Sequence, residues 1–185
     1  MMLGIFSAFG LSASAGLNAY IPLFTIAAIA HYTDWFSLTA PYDNLGNPWI
    51  MLLLGVLIII EFLADKIPAF NHVNDLLQTF VRPVAGAIVF AASAKVLTGV
   101  SPALSLACGL LVAGSVQVAK AGLIRPAVTA TTGGTGNLPV SLLEDIVSTV
   151  TSILAVVMPI IIACMVILFT AAIFLWLWRR SHIQT

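Results

Sequence analysis

Gly10-Leu-Ser-Ala-Ser-Ala-Gly-Leu-Asn-Ala-Tyr-Ile-Pro22 lies in the middle of an apolar run from about Leu3 to Ala30. The run is long enough to cross a bilayer of roughly 30 Å with some tilt. Its centre is dense in glycine, alanine and serine, and small side chains let a second helix approach closely. The segment therefore reads as a span buried among other helices rather than one facing lipid. Pro22 predicts a kink in it, because proline has no N–H and its ring collides with the carbonyl four residues back.

The rest of the chain has the same character. Of 185 residues, 61% are hydrophobic and 8% are charged, whereas a soluble domain carries about a quarter charged residues. A globule of this size has too little interior to hide that much apolar surface. This excludes a soluble enzyme, a disordered tail and a nucleic-acid binder. The fold class expected is all-α, a polytopic helical membrane protein forming a single transmembrane domain over residues 1–185. Ala13-Ser14-Ala15 resembles a cleavage site, but no Lys or Arg precedes it, so the first run is expected to be an uncleaved span.

Downstream of the first run, residues 31–47 carry aromatics and acids but no Lys or Arg, which places them outside by the positive-inside rule. A second span starts at Pro48 or Trp49 and runs to about Ala64. A polar stretch follows, then an apolar run from Pro83 to about Gly99, and a fourth segment over roughly Ala103 to Ile124. Residues 129–139 read as a Thr/Gly-rich loop. Ser141 with Glu144 fits a capping box that would open the last helical stretch. That stretch, Ser141 to Trp178, is 38 residues long, about 57 Å as one helix, and is expected to project, break or fold back at Pro159.

Five or six crossings are expected, with proline-broken or re-entrant half-helices. Five simple spans leave Arg179-Arg180 outside, against the positive-inside rule; six crossings or two re-entrant half-helices satisfy it. Proline spacing also suggests an internal repeat of halves 1–99 and 102–185. Gly10 and Gly114 precede Pro22 and Pro126 by the same interval.

The charges are the chemistry-bearing feature. Seven acids and seven bases are present, and five of each sign lie in or beside apolar segments: Glu61, Asp65, Asp75, Glu144 and Asp145 against Lys66, Arg82, Lys95, Lys120 and Arg125. One charge near the bilayer centre costs at least about 2.5–3.5 kcal/mol, so these must pair, reach the interface or face water. Glu61 and Asp65 share a helix face, as do Asp75 and Arg82. Glu144, Ser148, Thr151 and Ser152 form a polar stripe. Asn18 and Gln117 are isolated amides suited to interhelical hydrogen bonds.

Read functionally, the candidate ion- or substrate-binding residues are Asn18, Glu61, Asp65, Lys66, Asp75, Arg82, Lys120, Arg125, Glu144, Asp145 and Ser148. Carboxylates would take a cation or proton, and the bases would be counter-ions or hold an anion. Read structurally, Asp65-Lys66 and Arg125 mark span ends and Lys95 snorkels. No Ser-His-Asp arrangement or zinc spacing is present, and Cys108 and Cys164 read as small buried hydrophobes. No enzyme activity, metal or cofactor is expected. Thr131-Thr-Gly-Gly-Thr-Gly-Asn137 reads as a linker, with a lipid-headgroup cradle as the alternative.

Together with Glu61-Phe-Leu-Ala-Asp-Lys-Ile-Pro68, Arg82-Pro-Val-Ala-Gly86 and Glu144-Asp145 with Ser148, the Gly10–Pro22 motif resembles the DUF4126 family of bacterial membrane proteins over nearly the whole chain. The chain departs from that pattern at Asn71, where the family carries an acid. The resemblance implies a small multi-pass protein of the bacterial inner membrane and supplies no activity. The leading functional expectation is a transporter or channel for a small ion or solute, surrounded by membrane lipids and built as a homodimer. A non-transporting scaffold with internal ion pairs and a lipid-headgroup binder are the alternatives.

Overall fold

The computed structural model describes residues 2–34, 38–64, 68–94, 101–158 and 168, with the side chains of 2–3 and 68–75 left aside. Asp65, Lys66, Lys95, Pro159 and Arg179-Arg180 lie outside the described residues, as does the side chain of Asp75. The helices are α1 (Met2–Leu17), α2 (Tyr20–Tyr32), α3 (Pro48–Ala64), α4 (Pro68–Ala94), α5 (Pro102–Ala119), α6 (Arg125–Thr132) and α7 (Asn137–Val157). A 3-10 turn at Asp43–Gly46 precedes α3, and a π-helical turn at Lys120–Ile124 joins α5 to α6. No strand occurs among the described residues.

Local chemistry sets several of these boundaries. Ser101 accepts a hydrogen bond from the Leu104 N–H at 3.2 Å and so caps α5 just ahead of Pro102. Gly133, in the left-handed conformation at φ +62°, stops α6. The first apolar run divides at Asn18-Ala19, in the turn before Pro22. Proline cannot donate to the Asn18 carbonyl and crowds it, so the helix opens there. The Asn18 side chain then restarts α2, its Oδ1 accepting from the N–H groups of Tyr20 and Ile21, both at 3.1 Å.

α1 is the central helix, packed against α4, α5 and α7, while α2 packs against α3 and α7. Ala8, Leu11, Ala15, Ser12 and Ser14 are wholly buried along α1. α4 and α5 form the most extensive interface and cross at Gly86 and Gly109. A Cβ at Gly109 would sit 2.6 Å from the Phe90 Cβ and closer still to the Gly86 carbonyl, so both backbones need glycine there. The Ser12 hydroxyl fills the notch, 2.8 Å from the Gly109 oxygen and 3.2 Å from the Gly86 oxygen.

The outer faces are apolar. Leu52, Leu53, Ile59 and Ile60 of α3, Leu104, Leu110 and Leu111 of α5, and Leu143, Ile146 and Ile153 of α7 are all exposed. A surface of this composition would aggregate in water and is matched to acyl chains. Leu76–Ala94, Pro102–Thr132 and Asn137–Val157 are long and apolar enough to cross a membrane, and Gly4–Leu17, Tyr20–Tyr32 and Pro48–Ala64 are shorter apolar helices. This is a helical membrane protein.

Two expectations are corrected. α7 begins at Asn137, so Ser141 is a buried residue inside the helix rather than its cap. The Thr/Gly-rich segment is mostly helical, with a turn confined to Gly133–Gly136. Pro83 lies inside α4, which continues through it to Ala94. Cys108 is a free, half-buried thiol packed against Ala8, Phe90 and Ala94, as a small apolar side chain would be.

Candidate functional site

The break between α1 and α2 is surrounded by buried polar groups from every neighbouring helix. α3 supplies Glu61, α4 supplies Arg82, and the guanidinium Nη2 lies 3.0 Å from Glu61 Oε1. Arg82 Nη1 donates to Gln117 Oε1 on α5 at 2.7 Å. Both ends of the Arg82–Glu61 pair are about 1% exposed, so neither charge has water to fall back on and each depends on its partner. Tyr20, at the start of α2, is hydrogen-bonded with Gln78 and lies in the field of Glu61 and Arg82.

A second group gathers one turn further along α5. Lys120 opens the π-helical turn, and its Nζ lies 2.6 Å from Glu144 Oε2 on α7. The same oxygen is 3.8 Å from Arg125 Nη2, at the far end of that turn. Lys120 Nζ also donates to the Leu17 carbonyl at 3.3 Å. Leu17 is the last residue of α1, so the ammonium sits where the carbonyls of a helix C-terminus concentrate negative charge. Lys120 and Arg82 are close enough to repel one another across the site, which ties each more firmly to its own carboxylate.

Asn18 and Asp145 complete the arrangement. Asn18 Nδ2 donates to Asp145 Oδ1 at 3.0 Å while its Oδ1 caps α2. One side chain thus connects the broken helix to α7. Below it, Ser14 Oγ lies 2.7 Å from both Ser148 Oγ and Ser152 Oγ, and Ser148 Oγ donates back to the Ser14 carbonyl at 3.2 Å. Ser141, Glu144, Ser148 and Ser152 are all buried on α7 at three- and four-residue spacing, so the polar stripe read from the sequence is the inward face of that helix.

Next to the Asn18–Asp145 contact is a cavity of about 320 Å³ between α2, α3 and α7. Its lining combines Asn18, Asp145 and Thr149 with Ile21, Ile58, Ile59 and Phe62. No group of three or more His, Cys, Asp or Glu suited to a metal occurs among the described residues.

Eight of the eleven residues singled out from the sequence therefore converge: Asn18, Glu61, Arg82, Lys120, Arg125, Glu144, Asp145 and Ser148. Asp65 and Lys66 lie outside the described residues, as does the Asp75 side chain. Tyr20, Gln78 and Ser14 were not foreseen in the site, and Gln117 was read only as interhelical glue. The available signal was spacing: Gln78 is four residues before Arg82, and Gln117 three before Lys120, so each glutamine shares a helix face with a buried base.

The Thr/Gly turn does not join this site. Thr131 and Thr132 donate to the carbonyls of Ala127 and Val128, Thr135 donates to Thr132, and the Gly136 N–H is taken by the Thr132 hydroxyl. These groups are spent on the turn itself.

The arrangement is suited to exchange of partners. A cation reaching the site would compete with Lys120 and Arg125 for Glu144, and with the Asn18 amide for Asp145. A proton arriving on either carboxylate would release the donor now held there. No curated protein matches this chain. No solved structure matches it either. A family model described as a domain of unknown function, DUF4126, matches residues 5–180. The chain belongs to that family.

Proposed function

We propose that this DUF4126 protein is a small transporter or channel of the bacterial cytoplasmic membrane, carrying a small ion or solute past the α1–α2 break. In this reading Glu61, Glu144 and Asp145 bind or relay a cation or proton, and Arg82, Lys120 and Arg125 are the counter-charges displaced in the cycle. Asp65, Lys66 and Asp75 enter this reading from the sequence alone, as charges near Glu61 and Arg82 in the chain. Asn18 holds the broken helix open, and Ser14, Ser148 and Ser152 fix α1 against α7. Two copies forming a homodimer would widen the protein wall around the path.

The observation that supports this reading is the helix interruption at Asn18-Ala19, set among buried ionised side chains. Transporters commonly build their sites from discontinuous helices whose ends and side chains meet the substrate near the midplane. A protein needing only stability has no use for two buried acids and two buried bases, Glu61, Glu144, Arg82 and Lys120, because apolar replacements are often at least as stable.

A scaffold is the second reading, favoured by the closure of the ion pairs on one another at 2.6 and 3.0 Å. Proteoliposomes under imposed pH and salt gradients separate the two. Transport predicts flux that disappears in Asp145→Asn and Glu144→Gln while both variants stay folded. Absence of flux from folded wild-type protein under every gradient, electroneutral exchange included, would sink the transport reading. Rescue of a destabilised Glu144→Gln by Lys120→Gln, without any flux, would establish the scaffold.

A further inference from the structure

The two buried ion pairs differ in what their bases can do. A guanidinium keeps its proton in any protein setting, so Arg82 stays charged against Glu61. A buried lysine serves as a base as well as an acid. Lys120 is the one lysine among the described residues, and its side chain is 2% exposed. Opposed fields meet on it. Glu144 of α7, 2.6 Å from Nζ, and the Leu17 carbonyl ending α1, 3.3 Å away, favour the ammonium. Arg82 of α4 and Arg125 past the π-helical turn favour the amine. The 2.6 Å contact is shorter than the about 2.7–2.9 Å of an ordinary charge-assisted bond, so nitrogen and oxygen meet with no water between them. Lys120 also opens the π-helical turn, a distortion frequent at functional sites.

We infer that the ion carried is the proton and that Glu144 and Lys120 pass it between them, an assignment that rests on the transport reading above. In the loaded state the two are an ion pair. On release, Lys120 Nζ gives a proton to water: the N–H bond breaks, its electron pair stays on nitrogen, and hydronium leaves. An amine and a carboxylate remain, one proton fewer. On reloading, a hydronium protonates Glu144 Oε2 and departs as water. The new O–H bond then breaks as Nζ takes the proton, and the ion pair is restored. Any other cation must push the ammonium off Glu144 and leave it buried without its carboxylate, which is strongly unfavourable. A proton moves through the pair with both side chains in place. Arg82 and Arg125 stay charged throughout and offset the negative charge left on Glu144 after release. Ser141 and Ser148, both buried, stand about one turn before and after Glu144 on the same face of α7, so the carboxylate has hydroxyls on either side along the helix.

The test is Lys120→Arg, which keeps the positive charge beside Glu144 and removes the ability to give up a proton. Proton uptake is followed with an entrapped pH dye in proteoliposomes under a potassium diffusion potential. The expected result is uptake by wild type that falls about tenfold or more in Lys120→Arg, with the variant folded by its unfolding midpoint. Nitrogen-15 NMR of lysine-labelled full chain in lipid gives a second measurement, decisive even if Lys120→Arg does not fold. The chain has three lysines, so Lys66→Arg with Lys95→Arg leaves Lys120 as the sole labelled side chain. Its Nζ signal should pass between the ammonium and amine positions with pH while the protein stays folded. An Nζ signal fixed as ammonium over that whole range, or undiminished proton uptake by folded Lys120→Arg, would each overturn the inference. Flux of an inorganic cation without proton movement would remove this inference and keep the transport reading. An Nζ signal that titrates in protein giving no flux under any gradient would remove the transport reading and leave only the proton exchange within the pair.

Discussion

Replacing Gly86 with alanine tests the tightest contact in the bundle. The added methyl would overlap the Ala113 side chain outright, and it would stand 3.0 Å from the Ser12 hydroxyl and 3.1 Å from the Gly109 carbonyl. Carbon atoms rest at about 3.5–4.0 Å, so α4 and α5 must part by more than about 1 Å at their crossing. Overpacking of this kind costs about 1–3 kcal/mol. Separation also stretches the Ser12 contacts to Gly86 and Gly109, now 3.2 and 2.8 Å, and a hydrogen bond between membrane helices contributes about 0.6 kcal/mol on average. Gly114→Ala is the control, since its new methyl would meet only Pro83, at 3.9 Å. Both variants gain the same helix propensity, which cancels in the comparison. Gly86→Ala should therefore be less stable than Gly114→Ala by about 2–4 kcal/mol. Unfolding by sodium dodecyl sulfate in mixed micelles, followed by tryptophan fluorescence, measures the difference. Equal midpoints for the two variants would refute the argument that glycine is required for this crossing.

Other substitutions probe the site and its frame. Glu61→Gln and Arg82→Gln should each destabilise by about 3–5 kcal/mol, because each leaves a buried charge behind. The double variant should lose less than the sum, and a double-mutant cycle by the same unfolding assay reads the coupling. Asn18→Ala removes the cap on Tyr20 and Ile21 and should cost about 1 kcal/mol. It also removes the Asn18 amide from Asp145, so on the transport reading flux in proteoliposomes should fall by more than the stability loss explains. Gly133→Ala forces a side chain into the left-handed region at φ +62° and should cost about 1–2 kcal/mol. It should leave flux unchanged, since the turn takes no part in the site.

The site was legible where charge stood out against an apolar background. Glu61, Arg82, Lys120, Glu144 and Asp145 are conspicuous because membrane interiors tolerate such residues only for a reason. Glutamine carries no such alarm, and the signal at Gln78 and Gln117 was only their helical spacing from Arg82 and Lys120. Ser141 misled for a related reason. Ser-x-x-Glu describes both a capping box and two polar residues on one face of a helix interior, and here it is the second, with both side chains turned into the bundle. The Thr-rich segment looked like loop by composition. Its threonines stay helical by donating to carbonyls one turn back, a local bond that neutralises their usual preference for turns. Pro22 opens the first run, whereas α4 runs through Pro83 intact. The proline alone does not say whether neighbouring helices will absorb the defect.

The π-helical turn at Lys120–Ile124 can be thought of as a phase setting. In a regular α-helix five residues advance roughly 500°, leaving the fifth side chain about 140° out of line with the first. The Arg125 N–H instead bonds to the Lys120 carbonyl five residues back. That wider turn returns Arg125 to the side of the helix that Lys120 occupies, and both reach the same oxygen of Glu144. Everything after the turn is rotated by the equivalent of one inserted residue. Deleting a single residue such as Gly122, whose surroundings are open, would restore an ordinary helix. It would also carry Arg125 and all of α6 around by about 100°, so one codon sets which direction the second base faces.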